Sequence, residues 1–333
     1  MNRIQLSQGG GGLESQALIS QLFYRYFNNP ILAQAEDAAL MTLSGSLAFT
    51  TDSYTVSPLF FNGGDIGKLA VVGTLNDLAM RSARPGCLSA GFIIEEGLPY
   101  ADLERIVGSM AQALQQANAQ LVCGDTKVVP KGAVDKVFIN TSGVGQVQCQ
   151  PAPGMNQIQA GDALLISGDI GRHGAVIMAA REGLDLTTEL QTDCALLWPQ
   201  VDALIQAGIH LHALRDATRG GVAAVLNEWA QATGLGLWIE EAYLPISEPV
   251  QGLCELLGFE AYDLANEGRM LIALPKSQVE QALSILQQLT DSQQAAYIGE
   301  VRAAQPSRVV MQTAWGTQRI LDWPKGELLP RIC

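Results

Sequence analysis

Arg215-Asp216-Ala217-Thr218-Arg219-Gly220-Gly221 sets an acid, a hydroxyl and two glycines directly ahead of a helical pattern. Val222, Val225, Leu226, Trp229 and Ala230 follow at helical spacing. Thr218 has the chemistry of an N-cap, and the amides of a helix start attract anions. A second stretch of similar make-up, Gly124-Asp125-Thr126-Lys127, follows the short strand pattern Leu121-Val122-Cys123. It offers amides, a carboxylate and a lysine, but not the spacing of a Walker A loop, and no GxGxxG fingerprint occurs. Any nucleotide is therefore held by some other fold.

Outward from these stretches, strands and helices mix in both halves. Four glycines, Gly9 to Gly12, form either a loose arm or a loop that closes over a ligand, because glycine is costly to order in regular structure. Leu18, Leu22 and Tyr26 trace a helix that ends at Asn28-Asn29-Pro30. Leu47 to Thr51 reads as a strand leading to Asp52. A mostly apolar helix from Ile66 carries Lys68, Asn76 and Asp77 and ends before Arg84-Pro85-Gly86. Pro151-Ala152-Pro153-Gly154 breaks the pattern and marks a domain boundary. The parse is an arm and helix over 1–43, a first domain over 44–155, a second over 156–320 and a tail over 321–333. The class is α+β or mixed α/β; pattern alone does not choose between them.

The chain stops on Pro330-Arg331-Ile332-Cys333. From Pro324 to Cys333 is ten residues, an extended reach of roughly 33 Å. A thiol on that arm can swing from solvent to a pocket elsewhere. Chain ends are commonly without a role, so the case for Cys333 as a covalent carrier rests on the rest of the sequence.

Charged residues make up 16% of the chain and the formal net charge is −13, which argues against nucleic-acid binding. No apolar stretch is long enough to span a membrane, and the start shows no secretory signal. The six cysteines form no C-x-x-C pair, so a zinc site is not expected, and the five internal ones read as reduced thiols of a cytoplasmic protein.

Asp52, Asp65, Asp125 and Asp216 lie where a strand or turn meets the next element, a common source of oxygen ligands for Mg2+. Turn-forming or capping is the alternative for each. Asp77 is harder to set aside: late in an apolar helix, its charge opposes the macrodipole and its burial costs several kcal/mol unless paired or metal-bound. Lys127 either neutralises phosphate or is a surface lysine. Glu267, between Asn266 and Gly268, is either solvated in a turn or a candidate base. Of the three histidines, His210 and His212 lack a third ligand nearby, and His173 lies in a glycine-rich turn.

Together, Phe49-Thr50-Thr51-Asp52-Ser53-Tyr54, Gly67-Lys68-Leu69-Ala70 through Asn76-Asp77, Gly124 to Val129, Arg215 to Gly221, Asn266-Glu267-Gly268 and the Pro-Arg-Ile-Cys end resemble the HypE family of hydrogenase maturation proteins, within the PurM-like superfamily. The likeness runs over almost the whole chain. The internal motifs are shared with aminoimidazole ribonucleotide synthetase and selenophosphate synthetase; the terminal Pro-Arg-Ile-Cys separates HypE from both. The resemblance implies a PurM-like two-domain fold, a cytoplasmic homodimer with ATP near the interface of the N-terminal domains, and carbamoylation of Cys333 by HypF. ATP-dependent dehydration to an S-cyanate would follow, with the cyano group passing to iron on HypC–HypD. It implies Asp52, Asp77 and Asp216 for Mg2+ and ATP, with Lys68, Asn76, Asp125, Thr126 and Thr218 also around the nucleotide. Cys333 would be the carrier, Glu267 the base and Lys127 a neighbour of the thiocarboxamide. Gln8 stands where the family often has histidine, and Arg172 where an acid is common. A small-molecule synthetase or kinase of the same superfamily, and a non-enzymatic carrier module, are the rival readings.

Overall fold

The structure, a computed structural model, describes residues 3–35, 38–184, 190–324 and 331–333. Pro330 and the rest of 325–330, part of the arm from Pro324 to Cys333, lie outside the described residues.

Four strands form the first sheet: β1 (Leu47–Tyr54), β2 (Ala83–Glu95), β3 (Gln120–Val129) and β4 (Val137–Val147), in the order β1-β4-β2-β3. β2 and β3 run parallel and the other pairs antiparallel, because α2 (Tyr100–Ala117) crosses over between β2 and β3. One face of the sheet, with Tyr54, Phe92, Ile94 and Ile139, is buried and packs beneath α1 (Ile66–Met80) and its neighbours. The alternation of β1 turns Phe49, 71% exposed, and Leu47 to the other face, where Ile93 of β2 is also exposed. α1 is buried on nearly all sides, since it lies between this sheet, α2 and the second domain. That explains its apolar composition. Gly73 is needed there because a side chain would meet the hydroxyl of Tyr54.

The second domain carries β5 (Asp162–Ile166), α3 (Arg172–Glu182), α4 (Trp198–Gln206), β6 (Ala213–Asp216), α5 (Gly221–Thr233), β7 (Gly236–Glu240), α6 (Glu248–Leu257), β8 (Met270–Pro275), α7 (Val279–Leu286), β9 (Ala296–Arg302), β10 (Val309–Gln312) and β11 (Gln318–Ile320). Its sheet runs β11-β10-β7-β9-β5-β8-β6. β5 and β8 are buried along almost their whole length. The fold is the expected mixed α/β arrangement.

Three local expectations are corrected. Gly124-Asp125-Thr126-Lys127 is not a loop; it continues β3 in register with Ala90 to Ile93 of β2, so part of its amide set is spent on the sheet. Arg84-Pro85-Gly86, read above only as the break after a helix, lies inside β2, which passes through Pro85 with a register shift before Cys87 that accommodates the residue without a ladder donor. Thr218 does not cap α5. The helix starts at Gly221 after Gly220, both at positive φ, and a side chain at Gly221 would strike the carbonyls of Tyr262 and Leu264.

Candidate active site around the terminal cysteine

Asp52, Asp77 and Asp216 come from three elements that meet at the domain junction. Asp52 is on β1, Asp77 lies late in α1, and Asp216 ends β6. The Thr50 hydroxyl donates to Asp77 Oδ2 at 2.7 Å, and the Ser53 amide donates to Asp52 Oδ1 at 2.9 Å. Burial pushes the Asp216 carboxyl up to about 7, helped by repulsion from Asp77 and Asp52, against the pull of Arg215. Asp77 is raised too, by burial first and then Asp52, while Thr50 and Arg215 oppose the shift. Three oxygen-donor groups thus share one neighbourhood with a single guanidinium, and Arg215 itself pairs with Glu228 at 3.3 Å. Among the described residues they do not close into a ready-made three-ligand cage. An acidic, oxygen-only donor set without a closed cage fits Mg2+, which takes one or two carboxylates and shares itself with phosphates.

Glu267 lies in the loop ahead of β8 and is 2% exposed. Its carboxyl oxygen Oε1 has no hydrogen-bond partner. Burial, then the charges of Asp193, Asp216, Asp52 and Asp77, hold the carboxyl well above its usual range. The backbone is fixed on both sides. Asp193 Oδ2 accepts the amides of Glu267 and Gly268 at 3.2 and 3.1 Å. Asn76 Nδ2 donates to the Glu267 and Ala195 carbonyls at 3.2 and 3.0 Å, while Asn76 Oδ1 accepts from Leu197 at 2.8 Å. Asn76, expected beside nucleotide, therefore acts as a clamp between α1 and two loops of the second domain.

Cys333 is home. Its carbonyl accepts from the Thr55 amide at 2.9 Å, and Arg331 donates to the Thr55 carbonyl at 2.7 Å and to Asp135 at 2.7 Å. Arg181 Nη2 holds the Arg331 carbonyl at 2.7 Å, and the ring of buried His173 lies 3.0 Å from the Ile332 carbonyl. The tail expected to swing thus ends in a seat between the two domains. Burial and the nearby Glu267 carboxyl push the Cys333 thiol up to about 12, and Arg219 partly offsets this. Carrier, candidate base and acidic cluster occupy one neighbourhood.

Lys127 does not join them within one chain. It is on β3, and two strands separate β3 from β1, roughly 14 Å at the usual strand spacing. Its ion partner is Asp125, at 3.4 Å. Asp125, Thr126 and Lys127 instead line a cavity of about 540 Å3 with Gly9, Gly10 and Gly11. The glycine run is ordered there: Gly9 packs on the Val128 backbone, and the Gly11 amide donates to Ser15 at 2.8 Å. Lys68 starts α1 on another side, where its amine donates to the Gly63 carbonyl at 3.2 Å. Asp193 carried no signal as a site residue, and Thr50, Arg219 and His173, though inside stretches noted above, carried none for their individual roles, because each role depends on contacts distant in sequence or on burial.

The AIR synthase related protein N-terminal domain family matches residues 35–147, and its C-terminal counterpart matches residues 159–312. Carbamoyl dehydratase HypE of Escherichia coli strain K12 is 48% identical over the full length of both chains. The chain belongs to the HypE family. Carbamoyl dehydratase HypE of Rhodobacter capsulatus is 45% identical, with 99% of this chain and 98% of that protein covered. A crystal structure of the hydrogenase maturation protein HypE in complex with ATP superposes with a TM-score of 0.96 at 46% identity, covering 99% of each chain. HypE in a HypE–HypF complex superposes at 0.81 and 46%, covering 92% of this chain and 100% of that one. A thiamine-monophosphate kinase from Stenotrophomonas maltophilia, 21% identical with a TM-score of 0.65, shares the fold.

Proposed function

We propose that this chain dehydrates an S-carboxamide on its own Cys333 to an S-cyanate at the expense of ATP, and passes the cyano group on for the iron centre of a [NiFe]-hydrogenase. The observation that carries this reading is the seated tail, held at the domain junction through the Cys333, Arg331 and Ile332 carbonyls by Thr55, Arg181 and His173, with Cys333 in the neighbourhood of Glu267. The names of the HypE relatives, the ATP-bound HypE structure and the HypE–HypF complex point the same way.

Amide oxygen is a poor leaving group. Its attack on the γ-phosphorus of ATP breaks the β–γ bridging P–O bond and releases ADP. Nitrogen then gives up its two protons, one to Glu267 and one to the departing phosphate, while the C–O bond breaks and C≡N forms. One carboxamide and one ATP become one thiocyanate, one ADP and one phosphate. Asp77 and Asp216 would hold Mg2+, with Asp52 on metal or nucleotide, and the ion would supply charge neutralisation for the transfer. Glu267 is the base. At rest its carboxyl is protonated, since burial and four neighbouring carboxylates disfavour the anion. Neutralising the Asp52, Asp77 and Asp216 charges would remove part of that repulsion, so that Glu267 releases its own proton to solvent and can then take one from the nitrogen. Docking of the tail makes the chemistry intramolecular.

A thiol pushed up to about 12 is a poor nucleophile. Carbamoylation therefore takes place with the tail released, at HypF, and dehydration with it seated. HypC–HypD receives the cyano group. The open sheet face with Phe49 and Ile93 suits a second copy of the chain, and Lys127 reaches a nucleotide across that homodimer. Six free cysteines fit a reducing cytoplasm. A C333A variant is expected to bind ATP and form no cyanate adduct when supplied with HypF and a carbamoyl donor. Full adduct formation on another cysteine would contradict the assignment.

A further inference from the structure

His173 stands at the joint between the seated tail and the loop that carries Glu267. It is fully buried at the start of α3, edge-on to Phe61 at 5.4 Å between ring centroids. Nε2 is 3.0 Å from the Ile332 carbonyl, which can only accept, so Nε2 carries the hydrogen. Burial disfavours the imidazolium, so the ring is neutral and Nδ1 is the acceptor. The Thr192 hydroxyl, 2.8 Å away, donates to it. That hydroxyl oxygen also accepts the Cys194 amide at 3.2 Å, which fixes the turn carrying Asp193 between them. Asp193 in turn holds the amides of Glu267 and Gly268. The chain of contacts runs Ile332, His173, Thr192, Asp193, Glu267 without a gap in the folded chain.

We propose that His173 is a positioning residue that couples arrival of the tail to the seating of Glu267. Ile332 gives His173 an acceptor for Nε2–H, which selects the tautomer that takes the Thr192 hydrogen. Thr192 then holds Asp193 where its Oδ2 can accept both loop amides. Release of the tail leaves Nε2–H without an acceptor in a buried pocket. The imidazole has then lost the contact that fixed its tautomer, and the 192–194 turn loosens with it. The base is thus held in place only while carrier cysteine is present. This rests on the roles given above to Cys333 and Glu267, but its test does not use them.

Two properties of the nucleotide-free, full-length protein are read: the rate at which Cys333 is alkylated, and hydrogen exchange of the peptide spanning 265–269. In H173F the ring volume remains and the donor is lost. Alkylation of Cys333 and exchange at 265–269 are both expected to rise about tenfold. H173Q, which restores a donor, is expected to return both towards the wild-type values. Should H173F not fold, T192V carries the comparison, with a rise at 265–269 expected. An unchanged Cys333 rate or unchanged 265–269 exchange in H173F, or unchanged exchange in a folded T192V, would overturn the coupling. Neither readout needs ATP or a carbamoyl group, so failure of the dehydratase reading shows separately, as wild-type protein that never converts its carboxamide.

Discussion

The Thr50 hydroxyl donates to Asp77 Oδ2 across 2.7 Å, joining β1 to the late turn of α1. This neutral donor lets the carboxylate lie beside Asp52 and Asp216 before any cation arrives. Replacing Thr50 by valine keeps the shape and leaves that oxygen without its donor. Unfolding experiments should show a loss of about 1–3 kcal/mol in the apo protein. Isothermal titration should show weaker binding of ATP with Mg2+. Unchanged values for both would mean that Asp77 does not depend on Thr50.

Asp216 sets a pH dependence. Its carboxyl titrates at about 7 in the folded chain against an ordinary value of 3.8. Between those values the folded state keeps a proton that the unfolded state has lost, so stability falls as pH rises. The apo melting temperature should drop from pH 5 to pH 8, and D216N should flatten that slope. Saturating ATP with Mg2+ should flatten it as well, because the bound cation favours the anion. A slope equal in wild type and D216N would exclude Asp216 as its source.

E267Q should separate chemistry from folding. The buried carboxyl is held neutral, so an amide of the same shape should leave apo stability within about 1 kcal/mol. Conversion of the carboxamide should slow about 10²–10⁴-fold, the usual contribution of a positioned base. Mass spectrometry should show the carboxamide accumulating. Wild-type conversion in E267Q would remove Glu267 as the base.

Asn76 clamps three backbone groups across the domain junction. N76A should cost about 2–4 kcal/mol, through lost bonds and groups left buried without partners. Denaturant titration measures this directly; a loss below about 1 kcal/mol would show that the clamp carries little.

Much of this was legible in the sequence for physical reasons. Asp77 advertised itself because a charge late in an apolar helix needs a partner, and α1 is indeed buried on nearly all sides. The helical stripe of Val222, Val225, Leu226, Trp229 and Ala230 lies on the buried face of α5. Gly124 to Lys127 misled because its polar residues suggest a loop, while at a sheet edge they form strand with side chains free to face solvent. Thr218 misled because capping chemistry yielded to close packing that only Gly220 and Gly221 permit. Asp193 was not legible at all, and His173 was visible only as a histidine in a glycine-rich turn. Their meaning depends on what the folded chain brings to them, the Glu267 loop and the tail, and no local pattern encodes that.

The most direct measurement is the intact mass of the C-terminal peptide after incubation with HypF and a carbamoyl donor, with and without ATP. The expected result is a carbamoyl adduct on Cys333 without ATP, and loss of one water from that same peptide when ATP and Mg2+ are added. A Cys333 peptide that stays unmodified, or an adduct that keeps its water in the presence of ATP, would contradict the account.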